Sequence, residues 1–241
     1  MLSVFNPVWL AVIALAPVVI ILITLCLKKK SATQKQRFLE KLILGTLVFF
    51  VLYKIWLFLD DGYDTHFFEE LPINLCNIGL LAAFPAIRKN IRPLKAFLYY
   101  CCTLGAIMAL LMPSEGFYDV PIWYLRMIGY WGTHLLVLII PILMVTLGFY
   151  RPRLKDIPAA LLLLLCVALI GHLANFLLRP SICPEANYCF TYGIEGNPVT
   201  ELLMRYIPIP FVYLVPAVIP LYLVDCGLCA LANLSRKKGA A

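Results

Sequence analysis

The sequence predicts an all-α, polytopic membrane protein: one helical-bundle domain over residues 1–241, with about seven transmembrane helices. Three observations carry the prediction. The chain is 63% hydrophobic and 14% charged, against roughly 45–50% apolar and about 25% charged in soluble domains. Its apolar residues fall into runs of about 20, the length that crosses ~30 Å of hydrocarbon. Its charges are sorted by sign between alternate connections.

The runs lie near 6–27, 42–59, 71–87, 96–113, 131–150, 157–178 and 207–231. The first is expected to remain in the protein rather than be cleaved, because Lys28, Lys29 and Lys30 follow the apolar run instead of preceding it. Basic residues occupy every second connection: Lys28–Lys41, Arg88–Lys95, Arg151–Lys155 and Arg236–Lys238. The other connections hold Asp60, Asp61, Glu69, Glu70, Glu115, Asp119, Glu185 and Glu195. The positive-inside rule makes the basic connections cytoplasmic. The N-terminus is then outside and the C-terminus inside, which requires an odd number of spans. The net charge of +7 is topology and attraction to anionic lipid; it does not predict a nucleic-acid partner.

Orientation gives meaning to the few polar residues in the runs. The third enters from outside at Leu71, so Cys76 lies about 7–8 Å along it, at about 1.5 Å per residue. His134 lies about one turn inside the fifth run, Asn175 about one turn from the outer end of the sixth, and His172 nearly two. Thiol, imidazole and amide therefore share a slab beneath the outer face, with Asn74 and Asn77 flanking the cysteine. Packing is the ordinary role of a buried cysteine, and interhelical bonding that of a membrane asparagine. Ionisable groups in spans nevertheless mark functional sites by default.

Two readings follow. In the first, Cys76 is a nucleophile and His134 its base, because a thiolate beside an imidazole forms thioesters. Asn175, Asn74, Asn77 or His172 would then orient the imidazole or donate to an oxyanion. At this depth the substrate is a membrane phospholipid or lysophospholipid, and the acyl donor a phospholipid or an acyl thioester. No metal and no soluble cofactor is needed. In the second reading the protein is a non-enzymatic transporter or solute-binding membrane protein with an outward-facing polar pocket.

Three stretches favour the first. "LPINLCNIGLL" (71–81), "GTHLLVLIIPIL" (132–143) and "NFLLRPSICPEANYCF…NPVTELL" (175–203) resemble, in order and spacing, the YwaF-like bacterial integral membrane proteins. These are in turn similar to the eukaryotic transmembrane protein 164 family. The resemblance covers roughly residues 40–225 and implies a cysteine acyltransferase that moves a fatty acyl chain onto a lysolipid. It implies the catalytic pair at Cys76 and His134, and adds Asn175, Asn187 and Tyr188 as family positions. Many bacterial members carry His where this chain has Asn74.

Other features lead to smaller expectations. Cys183 and Cys189 flank a short outer loop and form a disulfide if that compartment is oxidising. Arg126, in the aromatic stretch 112–127, is placed to meet a lipid phosphate. Lys54 is expected to reach Asp60 or Asp61, and Glu201 to pair with Arg205. Cys226 and Cys229 form a CxxC too small for a closed zinc site. Cys101 and Cys102 are expected far from Cys76. The short connections fit a bacterial plasma membrane.

Overall fold

The computed structural model of the protein describes residues 6–59, 67–113, 121–193 and 198–239. Helix α1 (Pro7–Leu27) starts on Asn6, whose side chain accepts from the Trp9 N–H at 2.8 Å, with Pro7 in the first helical position. Helix α2 (Ala32–Leu59) starts on a reciprocal capping box, in which Gln34 N–H donates to Ser31 Oγ and Ser31 N–H to Gln34 Oε1. Helix α3 (Leu75–Arg88) and α4 (Arg92–Phe97) are joined by a tight turn. There Asn90 adopts φ 54° and the Ile91 N–H bonds back to Ala86 O, a Schellman closure. Gly148 (φ 90°) ends α6 (Leu125–Thr146) in the same way, with the Phe149 N–H on Met144 O.

Between α4 and α5 (Thr103–Leu111), residues Leu98–Cys102 wind as a π-helix. The wider turn aims four consecutive buried side chains at different neighbours. Tyr99 donates to Leu228 O, Tyr100 to Arg153 O and Cys101 to Ala160 O, while Cys102 packs on Gly79. The remaining helices are α7 (Ile157–Leu178), a short α8 (Pro198–Tyr206) and α9 (Val218–Gly239), the last preceded by a 3₁₀ segment, Val212–Ala217.

Among the described residues, six helical stretches are long and apolar enough to cross a membrane, and α3 is a shorter apolar one. The chain is thus an all-helical polytopic bundle. Its outer surface explains the composition: Leu25, Leu52, Leu177 and Ile219 are all at least 60% exposed on faces that lipid covers. The α4–α5 stretch and α6 form the buried centre. Gly129 and Gly132 of α6 sit directly against Tyr53 and Phe49 of α2, and a Cβ at Gly129 would overlap the Tyr53 ring. Gly129→Ala should therefore destabilise the bundle by about 1–3 kcal/mol. Gly45→Ala, where nothing lies within 4 Å, is the control, and thermal unfolding in detergent reads the difference.

Connections gather at two ends, as the charge map requires. At the basic end Arg88 pairs with Glu40, and Arg92 with Asp156. At the other end Lys54 pairs with Glu70; Asp60 and Asp61, its expected partners, lie outside the described residues. Glu201 and Arg205 are both exposed and form no ion pair among the described residues. Residues 114–120 of the aromatic stretch also lie outside the described residues.

The third span departs most from expectation. A helix of 14 residues is only about 21 Å long. Residues 71–74 do not join it: Asn74 has φ −66°, ψ 152°, and its side chain is committed elsewhere. Pro72 sits in the preceding turn, not at the helix start. The space above α3 is filled by the loop 183–193, which is tolerated at this depth because the protein buries its backbone.

Candidate site beneath the outer face

Asn175 builds the roof of this site. It is fully buried near the outer end of α7, and its amide is saturated. Nδ2 donates to Tyr188 O (3.0 Å) and Thr191 Oγ1 (2.8 Å), while Oδ1 accepts from the Tyr188 N–H (2.8 Å). Asn187 closes the same turn, its Oδ1 accepting from the N–H groups of Tyr192 and Gly193. The Tyr188 hydroxyl donates to Phe68 O, and the Tyr213 hydroxyl to Phe190 O. So held, Cys189 and Phe190 keep φ values of 54° and 56°, a conformation that non-glycine residues adopt only when their surroundings impose it.

The loop docks on the start of α3. Asn74 occupies the N-cap position but makes no cap hydrogen bond; its Oδ1 accepts from the Cys189 N–H at 2.9 Å. The Cys189 thiol lies 3.7 Å from Ile73 O, and Gly171 of α7 leaves room for it, since a Cβ there would come within 3.2 Å of the sulfur. Burial pushes the Cys189 thiol up to about 11, with the Leu75 N–H pulling the other way. Peptide-resolved alkylation at Cys189 should accordingly keep rising between about pH 8 and 11, with no plateau near the ordinary thiol value of about 8.5.

Cys76 follows in the first turn of α3 and is 8% exposed. Cys189 above it and Cys102 of the π-helix are both close enough to act on it electrostatically. Cys102 packs against Gly79, one turn below Cys76. The expectation that Cys102 lies far away is thus corrected: the π turn rotates it toward α3 while Cys101 turns to α7.

His134 lies on α6, half-buried, with its Nδ1–H donating to Tyr130 O at 2.8 Å and its ring 4.4 Å from the Tyr130 ring. That bond leaves Nε2 as the acceptor. Helices α3 and α6 meet around a small gap lined by Gly79, Leu80, Ala83, Val137, Ile140 and Pro141. Cys76 is one turn outward from Gly79 on one wall, and His134 one turn outward from Val137 on the other. The two therefore share a level on facing helices, with no hydrogen bond between them among the described residues.

The other expected residues separate into groups. Asn74, Asn175, Asn187 and Tyr188 assemble the roof. Asn77 is half-buried on α3. His172 turns aside to stack on Tyr192 (4.9 Å) and Phe211 (5.2 Å). Arg126 is half-buried on the first turn of α6. Cys183 and Cys189 are free thiols. The expected bridge is not formed, because Cys183 faces Glu69 while Cys189 faces Ile73 O.

Sequence reasoning passed over Asp225. It is fully buried on α9, with neither carboxylate oxygen hydrogen-bonded among the described residues. Its signal in the sequence is a lone acid inside the apolar run 207–231. No grouping of three or more His, Cys, Asp or Glu suited to a metal occurs among the described residues.

Comparison with known proteins gives a single result. No curated protein and no solved structure matches the chain. Residues 1–225, reaching into α9, match the TMEM164 family, and the chain belongs to that family.

Proposed function

We propose that the protein is a membrane-embedded acyltransferase that moves a fatty acyl group between phospholipid and lysophospholipid through a thioester on Cys76. The observation that carries the reading is the His134 tautomer. Its Nδ1–H is committed to Tyr130 O, so Nε2 is free to accept a proton at the level of the Cys76 thiol. Neither soluble cofactor nor metal enters the scheme.

His134 takes the thiol proton, and the Cys76 sulfur attacks the ester carbonyl of the donor lipid. The C–S bond forms, the ester C–O bond breaks, and the departing lysolipid oxygen takes the proton back from His134. In the second half His134 deprotonates the hydroxyl of an incoming lysolipid. That oxygen attacks the thioester and Cys76 leaves as the thiol. Because Asn74 is spent on Cys189 and no side chain caps α3, the first-turn N–H groups at Cys76 and Asn77 are available to the oxyanion of each tetrahedral intermediate. The roof loop keeps water from the thioester. Incubation with a phospholipid labelled in its acyl chain, followed by acid quench, should leave label on the Cys76 peptide that hydroxylamine releases. A labelled donor that never marks this peptide, while transfer proceeds, overturns the assignment.

A further inference from the structure

At the opposite, basic end of the bundle a cavity of about 480 Å³ opens between the connection after α6 and the inner half of α9, a size within the range of ligand sites. One wall is Arg151-Pro152-Arg153, and the other is formed by Cys226, Cys229 and Asn233. The tripeptide is held by its backbone. Arg92 Nη2 donates to Arg151 O (3.0 Å), Asn233 Nδ2 to Pro152 O (3.3 Å) and the Tyr100 hydroxyl to Arg153 O (3.2 Å). Three donors from three elements thus pin three successive carbonyls and leave the side chains unused. Arg153 is extended (φ −138°, ψ 144°), and both Arg151 and Arg153 line the cavity.

Several of the other charges packed near this segment are matched. Arg88 is on Glu40, and Lys95 is held by Asn90 Oδ1 and Phe149 O. Asp156, the carboxylate beside the cavity, is taken by Arg92 (Nε, 2.9 Å) and the Tyr150 hydroxyl (3.0 Å). Arg151 and Arg153 are exposed and have no ion-pair partner among the described residues. Two guanidiniums on a pinned segment beside one cavity suit a phosphate. The α9 wall is apolar apart from Asn233, and one turn farther into the membrane the same helix face carries exposed Tyr222, which suits the glycerol and acyl portion of the same molecule.

We propose that this cavity seats the phosphate end of an anionic phospholipid from the cytoplasmic leaflet, as a binding site separate from Cys76 and independent of the acyl-transfer reading. The source is lipid and not a soluble phosphate, because the site is half guanidinium and half membrane-facing apolar wall. The test uses full-length protein stripped of lipid in detergent, titrated with phosphatidylglycerol, phosphatidylcholine or soluble glycerol phosphate, with the unfolding midpoint and native mass spectrometry as readouts. Phosphatidylglycerol should bind and raise the midpoint, and Arg151→Gln/Arg153→Gln should weaken that binding about tenfold or more. Both side chains are exposed, so the variant keeps its fold; Lys28→Gln/Lys29→Gln removes equal charge from the same face and should bind as the parent does. Equal binding by the arginine variant, equal loss in the lysine variant, or an equal response to phosphatidylcholine or to glycerol phosphate would each overturn the proposal.

Discussion

Cys76→Ala protein, reconstituted with a labelled donor phospholipid and a lysophospholipid, should transfer acyl chains at least about 10³-fold more slowly than the parent. Nothing else described at that depth combines a buried thiol, free helix N–H groups and an imidazole at the same level. Cys189 is the neighbouring thiol, but its sulfur faces Ile73 O. His134→Gln should lose a comparable factor near neutral pH and recover part of it as pH rises, because hydroxide then replaces the missing base. The unfolding midpoints of both variants should stay close to the parent's, which separates lost chemistry from lost structure. Transfer that persists in Cys76→Ala would return the site to the solute-binding alternative.

Asn175→Ala should cost on the order of 3 kcal/mol, since it removes three buried hydrogen bonds and orphans the N–H and C=O of Tyr188. The loss should concentrate in the roof. Limited proteolysis should open within 187–193 before the helices yield, and acyl transfer should fall along with loop protection. Asn175→Asp keeps the acceptor for the Tyr188 N–H but loses both donated bonds, so it should fall between the parent and alanine. An unchanged midpoint with an intact loop would show that the Tyr213 and Asn187 bonds hold the roof without Asn175.

Much of this architecture is legible in the chain. Helix positions follow from apolar runs, because bilayer thickness imposes one length on every crossing element. The grouping of basic connections at one end, as in the Arg88–Glu40 and Arg92–Asp156 pairs, follows from the alternation of charge. Depth along a helix is also readable at a constant rise per residue, but the break at residues 71–74 takes that ruler away from Cys76.

Direction around a helix axis, and the path of an irregular loop, are not readable in the same way. The apolar run 71–87 carries no mark that its first four residues leave the helix, because the partner that stabilises the break, the Cys189 N–H, is 115 residues away. The π turn at Leu98–Cys102 is likewise invisible in "LYYCC", yet it sends Cys102 to α3 and Cys101 to α7. A bridge between Cys183 and Cys189 looked natural from spacing until the loop geometry turned the two sulfurs toward different carbonyl and carboxylate partners. Sequence by itself determined membrane residence, span positions and the sorting of charge, since each depends on local composition. Only the tertiary structure decided what faces what: Asn175 as the clamp of a roof, Asn74 as its anchor, and Arg151 and Arg153 as unmatched charges on a pinned strand. Those outcomes depend on contacts between residues distant in sequence, which no local pattern encodes.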